Sequence, residues 1–412
     1  MAKLGLLLLI FLLAFVVRFY NFSDRITFGP EQAISLITSA EYIQTKPSLL
    51  GQPNVQRVTS QGHILFSGSL FNYSLVPLLL IFQYNPLPIT VYFAVLNIIS
   101  GIMIFFVGRR FFSFTVGLFA AVLFLFNQQM IDLSLYIWIL HYLPLIGLIS
   151  FALLWQTRKK PNGLYVLYLG LLAGIGFNLE YFYLFTAILI YCLVLWFSKY
   201  KVRDSLLYFL GAIIGNLPMI LFDITHQFYH FTTLWQFTMD TFHLPGQSKI
   251  SPYHFYQYWP ILSLFGGYLL SRLYKKQKYL VIFLLFAYIS IILFSPGISF
   301  QRATGMPDGL TLSKVEQAAQ TIALDKPTNF NVASLFDFDS RAHPLRYFLI
   351  YKYKLTPNGV ENYKESNILY VFTTKDYNFN KAIAYETNVF PKDKISVLKN
   401  IDQTYTVFRI MR

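Results

Sequence analysis

The residues that could do chemistry are ionisable side chains at the ends of long apolar runs. The best placed of them is Glu31, in the stretch "TFGPEQA". Pro30 fixes its own φ and restricts Gly29, so the carboxylate is held rigidly where the chain enters "EQAISLITSAEYI". Apolar residues recur there at helical spacing, which puts Glu31 at a helix N-terminus, where the macrodipole favours the ionised form. Such a carboxylate can act as a general base, or it can simply begin a helix.

Two further acids lie where apolar runs meet. Glu180, followed by Tyr181 in "GFNLEYFYLF", sits between two runs that leave almost no room for a loop. Its carboxylate must therefore reach water, a partner or a substrate, unless it only marks a turn. Asp223 and His226 in "LPMILFDITHQF" are three residues apart, which predicts that they share one helix face. The histidine can be a ligand, a base or a satisfied interfacial residue.

The other ionisable residues near apolar runs fit no metal pattern. They are Asp24, His63, Asp132 and His141. The chain has no H-E-x-x-H motif and a single cysteine, so no motif supports a metal or other cofactor, although a divalent ion held by carboxylates and histidines stays open. Phosphate-binding and dinucleotide-binding glycine motifs are absent too, which disfavours a cytosolic nucleotide as the substrate.

The elements that must position these residues are membrane helices. Of the 412 residues, 55% are hydrophobic and only 13% are charged, which is unusual for a soluble protein. Runs such as 4–17 and 279–294 are long enough for membrane helices, which need about 20 mostly apolar residues. The first run lacks an A-x-A-like cleavage site, so we expect a retained helix. Much of the net charge of +14 falls in short loops, which favours an integral plasma-membrane protein and no nucleic-acid partner.

Basic clusters predict which side of the membrane each loop faces, because short cytoplasmic loops carry the excess of Lys and Arg. The clusters are Lys3, Arg109–Arg110, "TRKK" (157–160), "SKYKVR" (198–203) and "SRLYKKQK" (271–278). Between them lie nine candidate spans, at 4–20, 88–107, 113–127, 136–155, 163–178, 180–197, 204–222, 258–271 and 279–296. An odd number of spans predicts a cytoplasmic N-terminus and an extracytoplasmic C-terminus.

If the apolar stretch 69–83 also crossed the membrane, the number of spans would be even. The stretch is short and carries Pro77, so we expect a re-entrant or juxtamembrane helix in the outer leaflet. A second crossing within 31–60 is the alternative, although that region is polar. All the candidate acids and histidines then fall on the external face, which indicates one external cavity rather than a path through the bilayer.

The chain changes character near residue 300. Residues 1–299 are predicted to form the transmembrane module, with an external loop at 21–68, and 300–412 a small extracytoplasmic α/β domain. The tail reads as helix "VEQAAQTIA", strand "NVASLFDF", helix "HPLRYFLIYKYK", strand "NILYVFTT", and strands "KISVLKN" and "YTVFRIM". We expect "HPLRYFLIYKYK" to be a docking helix of this domain, with a basic interfacial helix as the alternative.

The order of these features resembles the C-type glycosyltransferase fold. It is most similar to family 39, which includes protein O-mannosyltransferases and bacterial aminoarabinose transferases. "FGPEQA" resembles the Asp-bearing motif of the family's first loop, and "GSLFNYSLVP" the Gly/Pro-Leu-Tyr segment that follows. "LGLLAGIGFNLEY" resembles the Gly-rich helix that often ends in His-Tyr, and "GNLPMILFDITHQF" the Gly-x-x-Pro helix end. The pair Glu31-Gln32 stands where the family usually has Asp-Glu or Asp-Gln, and Glu180-Tyr181 where it has His-Tyr.

The resemblance implies a bundle of about nine to ten membrane helices and an enzyme that takes a sugar from a polyprenyl-phosphate lipid. The acceptor (a protein, lipid or glycan) attacks the anomeric carbon through a hydroxyl, and lipid phosphate leaves with inversion. Glu31 is the implied general base. Arg25 and Arg57, with Lys46 a weaker choice, are candidates to meet the leaving phosphate. Further candidate contacts to sugar or lipid are His63, Asn72, Tyr73, Glu180, Tyr181, Asp223 and His226.

Two other function classes fit a polytopic membrane chain. A transporter or flippase of a lipid-linked solute predicts mid-membrane charges or broken helices in repeated halves, and neither is clear in the sequence. A non-catalytic scaffold that keeps the fold without the chemistry is the second alternative, because the usual second acid is a glutamine here. An assay of sugar transfer from a polyprenyl-phosphate donor distinguishes the enzyme from both alternatives, because neither of them would transfer the sugar.

Overall fold

The computed structural model describes most of the chain. The described residues are 2–45, 47–243, 251–295, 300, 302–303, 305–335 and 339–412, and within them the side chains of 2–4, 54–57 and 242–243 lie outside the description. Two predicted phosphate ligands are affected, since Lys46 and the side chain of Arg57 are outside the described part.

The first half of the chain is helical, with one β-hairpin. Its elements are α1 (Ala2–Phe19), α2 (Phe22–Arg25), α3 (Pro30–Gln44), β1 (Leu50–Val58), β2 (Ile64–Gly68), α4 (Leu70–Ile81), α5 (Pro86–Phe111), α6 (Phe114–Leu125), α7 (Gln128–Leu133), α8 (Tyr142–Lys159) and α9 (Gly163–Leu179). The next part consists of α10 (Tyr183–Phe197), α11 (Lys201–Gly215), α12 (Leu217–Thr225), α13 (Tyr229–His243), the 3₁₀ segment Pro252–Tyr258, α14 (Trp259–Lys276) and α15 (Lys278–Leu293). Each of the nine predicted spans falls on a helix, the seventh on the pair α11 and α12.

The helices differ in whether they can cross a bilayer. By length and composition, Pro86–Phe111 and Ile139–Lys159 are long and apolar enough, and α11 with α12 makes a third if that pair, bent by 77°, is one span. Six more apolar helices have 10–17 residues, and α4 is one of them. Large apolar side chains are exposed along several helices, for example Trp196 at 83% and Phe286 at 69%. Apolar surface of this kind supports a membrane location, and the nine crossings and their orientation stay predictions.

Two glycine pairs bring α9 and α11 into backbone contact. A Cβ on Gly170 would lie 2.0 Å from Tyr208 O, and one on Gly211 would lie 2.2 Å from Leu167 O. Gly174 and Gly215, four residues further along each helix, meet the partner helix in the same way. Small residues spaced by four allow such close approach between membrane helices.

A buried arginine joins α1, α5 and α6. Arg18 is fully buried, and its Nη2 donates to Asn97 Oδ1 at 2.8 Å and to Leu125 O at 2.9 Å. Leu125 is the last residue of α6, so the guanidinium satisfies a carbonyl that has no partner within its own helix. A buried charge is expensive unless it is hydrogen-bonded, and these contacts explain why it is tolerated here.

The last part of the chain is the predicted α/β unit. Its elements are α16 (Leu312–Leu324), β3 (Phe330–Ser334), α17 (His343–Tyr347), which continues as a π-helical turn over Phe348–Lys352, β4 (Ile368–Thr374), α18 (Tyr385–Asn388), β5 (Ile395–Asn400) and β6 (Tyr405–Met411). The sheet order is β3-β4-β6-β5, with β3 parallel to β4 and the other neighbours antiparallel. All six elements expected from the sequence are present.

The docking helix predicted from "HPLRYFLIYKYK" packs against the helical part of the chain. Phe28, which precedes α3, meets the rings of Tyr347 and Phe348 with centroids 5.5 Å away in each case. The Tyr347 hydroxyl donates to Tyr84 O at 2.7 Å, and the Tyr84 ring stacks on Tyr351 at 5.2 Å. The same buried apolar cluster contains residues of both parts, so the α/β unit is fixed directly over the start of α3.

The glycine contact gives a stability prediction. We expect Gly211→Ala to lower the thermal unfolding midpoint, at a cost of about 1–3 kcal/mol, because its Cβ meets backbone atoms that cannot move aside. Gly5→Ala is the matched control, since nothing lies within 4 Å of a Cβ there and alanine favours a helix. Equal midpoints for the two variants would show that the α9–α11 contact is not this close.

Candidate active site

The turn before α3 is held by one hydrogen bond to the side chain of Gln32 and by another to the loop after α7. Gly29 N–H donates to Gln32 Oε1 at 3.0 Å, so the glutamine side chain caps the helix that Pro30 begins. Thr27 N–H donates to Leu135 O at 3.0 Å, which ties the turn to the loop after α7. The position of Glu31 in the first turn of α3 is therefore set by contacts on both sides of it.

The Glu31 side chain is exposed to solvent, yet burial by the surrounding protein raises its pKa. A carboxylate in a recess has both properties: its surface is reached by water, and the surrounding protein still raises its pKa. The helix N-terminus acts in the opposite direction, because its partial positive charge favours the ionised form. A glutamate with a raised pKa is a stronger base than an ordinary surface glutamate.

A second acid, Asp132, lies in the same region as Glu31, since both carboxylates act electrostatically on Tyr136. Burial raises the pKa of Tyr136 to about 12, and the charges of Asp132 and Glu31 both add to the shift. The pKa of Tyr256 is also raised to about 12, by burial and then by Asp132 and Tyr136. Two carboxylates and two tyrosines thus lie within electrostatic range, brought together from α3, the end of α7 and the 3₁₀ segment.

Sequence reasoning identifies Asp132 as an ionisable residue but assigns it no role. No spacing in the chain links positions 31 and 132, and the hydrogen bond from Thr27 to Leu135 joins the α3 turn to the loop after α7. The usual second acid of the resembled family is absent from the adjacent position, Gln32. In the structure, the carboxylate that acts on the same tyrosine as Glu31 is Asp132.

Arg25 is part of this region but is buried, with only 1% of its surface exposed. Its Nη1 donates to Val17 O at 2.8 Å and to Tyr20 O at 3.0 Å, so it caps the C-terminal end of α1, and its guanidinium lies 4.7 Å from the Phe300 ring. Burial lowers its pKa to about 10, and Asp132 opposes the shift. Its contact with a leaving phosphate stays a prediction.

Asn72 and Tyr73 hold α3, α4 and the approach to β1 together. Asn72 is fully buried and donates to Ser35 O at 3.1 Å and to Ser39 Oγ at 3.0 Å. The Tyr73 hydroxyl donates to Ser48 O at 2.9 Å. The structure gives both side chains packing roles, and their contact with sugar or lipid stays a prediction.

The predicted acid at the α9–α10 turn has a histidine partner. Glu180 Oε1 lies 3.2 Å from His254 Nδ1 and also accepts from Phe182 N–H at 3.3 Å. The His254 ring stacks on Phe182 with centroids 4.1 Å apart. This pair links the turn to the 3₁₀ segment that carries Tyr256, and no local sequence signal marks His254.

Tyr181 and Asp223 meet through His230, a residue that sequence reasoning misses. The Tyr181 hydroxyl lies 2.8 Å from His230 Nε2 and donates to Phe66 O in β2. Asp223 Oδ1 accepts from the backbone N–H of His230 at 2.8 Å, and its Oδ2 lies 3.9 Å from His230 Nδ1. His230 is buried, which lowers its pKa, while Asp223 and Phe66 O oppose the shift.

The structure places Asp223 in α12 and His226 at the end of that helix, and gives their side chains different partners. His226 follows the end of α12, is exposed, and lies 3.0 Å from Phe222 O through its Nδ1. Asp223 instead caps α13, because the chain turns after α12 and brings α13 back over it. His63 is in the hairpin β1–β2, with its Nδ1 3.2 Å from Gln236 Oε1 of α13.

Within the described parts of the chain, no three His, Cys, Asp or Glu side chains are grouped so that they could hold a metal ion. The acids and histidines of this region associate in pairs instead, as Glu180 does with His254.

Comparison with solved structures identifies the fold. One structure, ArnT from Cupriavidus metallidurans bound to undecaprenyl phosphate, matches with a TM-score of 0.65 and 12% identity, over 98% of this chain and 98% of that chain. The apo state of the same protein matches with a TM-score of 0.54 and 13% identity, over 99% and 98%. No family model matches the sequence, and no curated protein gives a significant match. At this identity the likeness shows the fold, so the resemblance to the C-type glycosyltransferase fold is confirmed.

The buried histidine gives a pH prediction. The pKa of His230 is lowered in the folded protein, so the unfolded chain binds more protons, and stability should fall as the pH drops below about 6.5. We expect His230→Gln to lose less of its thermal midpoint between neutral and mildly acidic pH than wild type does. His226→Gln, which changes an exposed histidine, should keep the wild-type slope. An unchanged slope in His230→Gln would contradict the buried, neutral histidine.

Proposed function

We propose that this protein is an integral-membrane glycosyltransferase that moves a sugar from a polyprenyl-phosphate donor to an acceptor hydroxyl, with Glu31 as the general base. The fold supports the general class, because ArnT, whose structure holds undecaprenyl phosphate, has the same fold. The observation that carries the proposal is the placement of Glu31. It is a solvent-accessible carboxylate with a raised pKa, fixed by the α3 turn beside a second acid.

In the proposed reaction the acceptor oxygen bonds to the anomeric carbon as the bond from that carbon to the phosphate oxygen breaks. Glu31 takes the proton of the acceptor hydroxyl, and lipid phosphate leaves with the electron pair. The carbon is attacked from the face opposite the leaving group, so its configuration inverts. A positioned base of this kind contributes about 10²–10⁴-fold to the rate, and more effectively when its pKa lies near the working pH.

We assign the stabilisation of the leaving phosphate to the positive charges of Arg18 and Arg25, which lie near the C-terminal end of α1. Arg18 and Arg25 lie close enough to repel one another, and Asp132 is the carboxylate that acts on Arg25. Because Arg25 is buried and its Nη1 donates to backbone carbonyls, it would act through its field rather than by direct contact. Arg57 and Lys46 remain the candidates for direct contact.

The proposed sidedness follows from the basic loops. Arg109 and Arg110 end α5, and Arg158 and Lys159 end α8, while the Glu31 turn and the α/β unit lie at the other ends of the helices. We assign the basic ends to the cytoplasm and the acid site to the extracytoplasmic face. The acceptor hydroxyl, on protein, lipid or glycan, would then be met outside the cell.

The proposal is tested by sugar transfer in right-side-out vesicles, with a panel of polyprenyl-phosphate hexoses and pentoses and release of polyprenyl phosphate as the readout. We expect Glu31→Gln to lower kcat by about 10²–10⁴-fold with little change in KM, because the base is lost and binding is not. Glu41→Gln is the matched control, since Glu41 is an exposed acid on the same helix whose pKa is also raised by burial.

Three results would contradict parts of the proposal. Equal rates for Glu31→Gln and wild type would remove Glu31 from the role of base. Transfer confined to inverted vesicles would reverse the sidedness. Absence of donor consumption by wild type with every sugar and acceptor would favour a scaffold that has kept the fold without the activity.

A further inference from the structure

A groove between helices extends from the 3₁₀ segment to the basic end of α8. It is a cavity of about 380 Å³ bounded by α8, α10, the 3₁₀ segment and the start of α14. Its walls are almost entirely apolar, with Phe151, Leu154, Leu189, Ile190, Leu193 and Phe197 among them. The size and lining are those of a site for a small apolar ligand or for one chain of a larger one.

The length of the groove limits what it can hold. On α8 it extends from Gly147 to Arg158, eleven helical steps, which corresponds to about 16 Å at the helical rise. The hydrocarbon core of a bilayer is about 30 Å thick, so one leaflet contributes about 15 Å. The groove therefore matches one acyl chain of a single leaflet, and a long polyprenyl chain would overrun it.

The positive charge at one end of the groove favours a lipid with an anionic headgroup. Arg158 lines this end, its side chain is exposed, and its guanidinium lies 5.9 Å from the Phe197 ring. Lys159 and Lys160 follow it, and none of the three makes an ion pair with an acid in the parts of the chain that the structure describes. Exposed cations beside a membrane helix attract the phosphates of anionic lipids.

We propose that this groove binds one anionic phospholipid from the leaflet that faces the basic loops, with its phosphate at Arg158 and one acyl chain along α8 and α10. The site is separate from the proposed donor site, because Arg158 and Glu31 lie at opposite ends of the helices. It needs no chemistry from the carboxylates, and it would exist even if the protein had no transferase activity.

The other end of the groove is closed by the 3₁₀ segment. A Cβ on Gly147 would lie 2.0 Å from Gln257 O, so the segment rests directly on α8. Gln257 Nε2 donates to Thr186 Oγ1 at 3.0 Å, and Thr186 Oγ1 lies 2.8 Å from the Tyr258 hydroxyl. A bound acyl chain would pack beneath the segment that also carries Tyr256, and would thereby stabilise the wall of the acid site.

The test measures the thermal unfolding of the full-length protein in detergent, titrated with phosphatidylglycerol or with phosphatidylcholine. Wild type should be stabilised more by phosphatidylglycerol than by phosphatidylcholine, because a bound ligand raises the midpoint. Arg158→Gln should weaken the apparent affinity for phosphatidylglycerol about fivefold, the effect of one basic residue near a lipid headgroup. Leu189→Trp should weaken it by filling the groove.

Each variant has a matched control outside the groove. Arg272→Gln removes an exposed arginine near the basic end of α14 that contacts Tyr268, and Leu184→Trp changes a leucine of α10 that is exposed to 47%, against 48% for Leu189. Both controls should keep the wild-type preference for phosphatidylglycerol. Equal stabilisation of wild type by the two lipids, or an unchanged preference in either Arg158→Gln or Leu189→Trp, would overturn the site. Since each protein is compared with itself in two lipids, a general loss of stability does not affect the comparison.

Discussion

The turn from Gly29 to Gln32 decides where the Glu31 carboxylate stands, and the surrounding elements are arranged to hold that turn. Gln32 caps the helix from within, Thr27 is bonded to Leu135, and Phe28 packs under the rings of Tyr347 and Phe348. The last contact gives the α/β unit a physical task. It covers the start of α3 with aromatic side chains, so that the acid is kept in a recess rather than on a free surface.

Charge balance is the second constraint at this end of the helices. Arg18 and Arg25 are both buried. Arg18 donates to Asn97 and to Leu125 O, and Arg25 donates to Val17 O and lies within electrostatic range of Asp132. Charges of both signs therefore lie close together at this end of the helices. The proposed reaction, in which the site accepts a proton and favours a departing phosphate, needs both signs of charge close together.

The sequence is sufficient to predict the parts of the fold that depend on local pattern. The apolar runs predict every helix assigned as a span, and the alternation in the tail predicts β3 to β6 as well as α16. The hairpin β1–β2 is not predicted, because Pro53 and the polar residues around it give weak strand signals. The span predicted at 204–222 is broken into α11 and α12 in the structure, and the sequence analysis predicts neither this break nor the return of α13 to Asp223.

The candidate site is only partly predictable for a related reason. Glu31 stands out because a glycine and a proline precede it, which is a local feature. Asp132, His230 and His254 acquire their roles from contacts over tens to hundreds of residues, and nothing near them in the chain marks those contacts. The spacing of Asp223 and His226 predicts a shared helix face, but it does not predict that the Asp223 side chain bonds to the backbone of His230.

The anomeric configuration of the transferred sugar tests the central claim most directly. If one carboxylate acts as a base in a single displacement, NMR of the product should show the configuration opposite to that of the polyprenyl-phosphate donor. Retention of the donor configuration would require two displacements with a nucleophile at the anomeric carbon, and it would contradict the role of Glu31 as the general base.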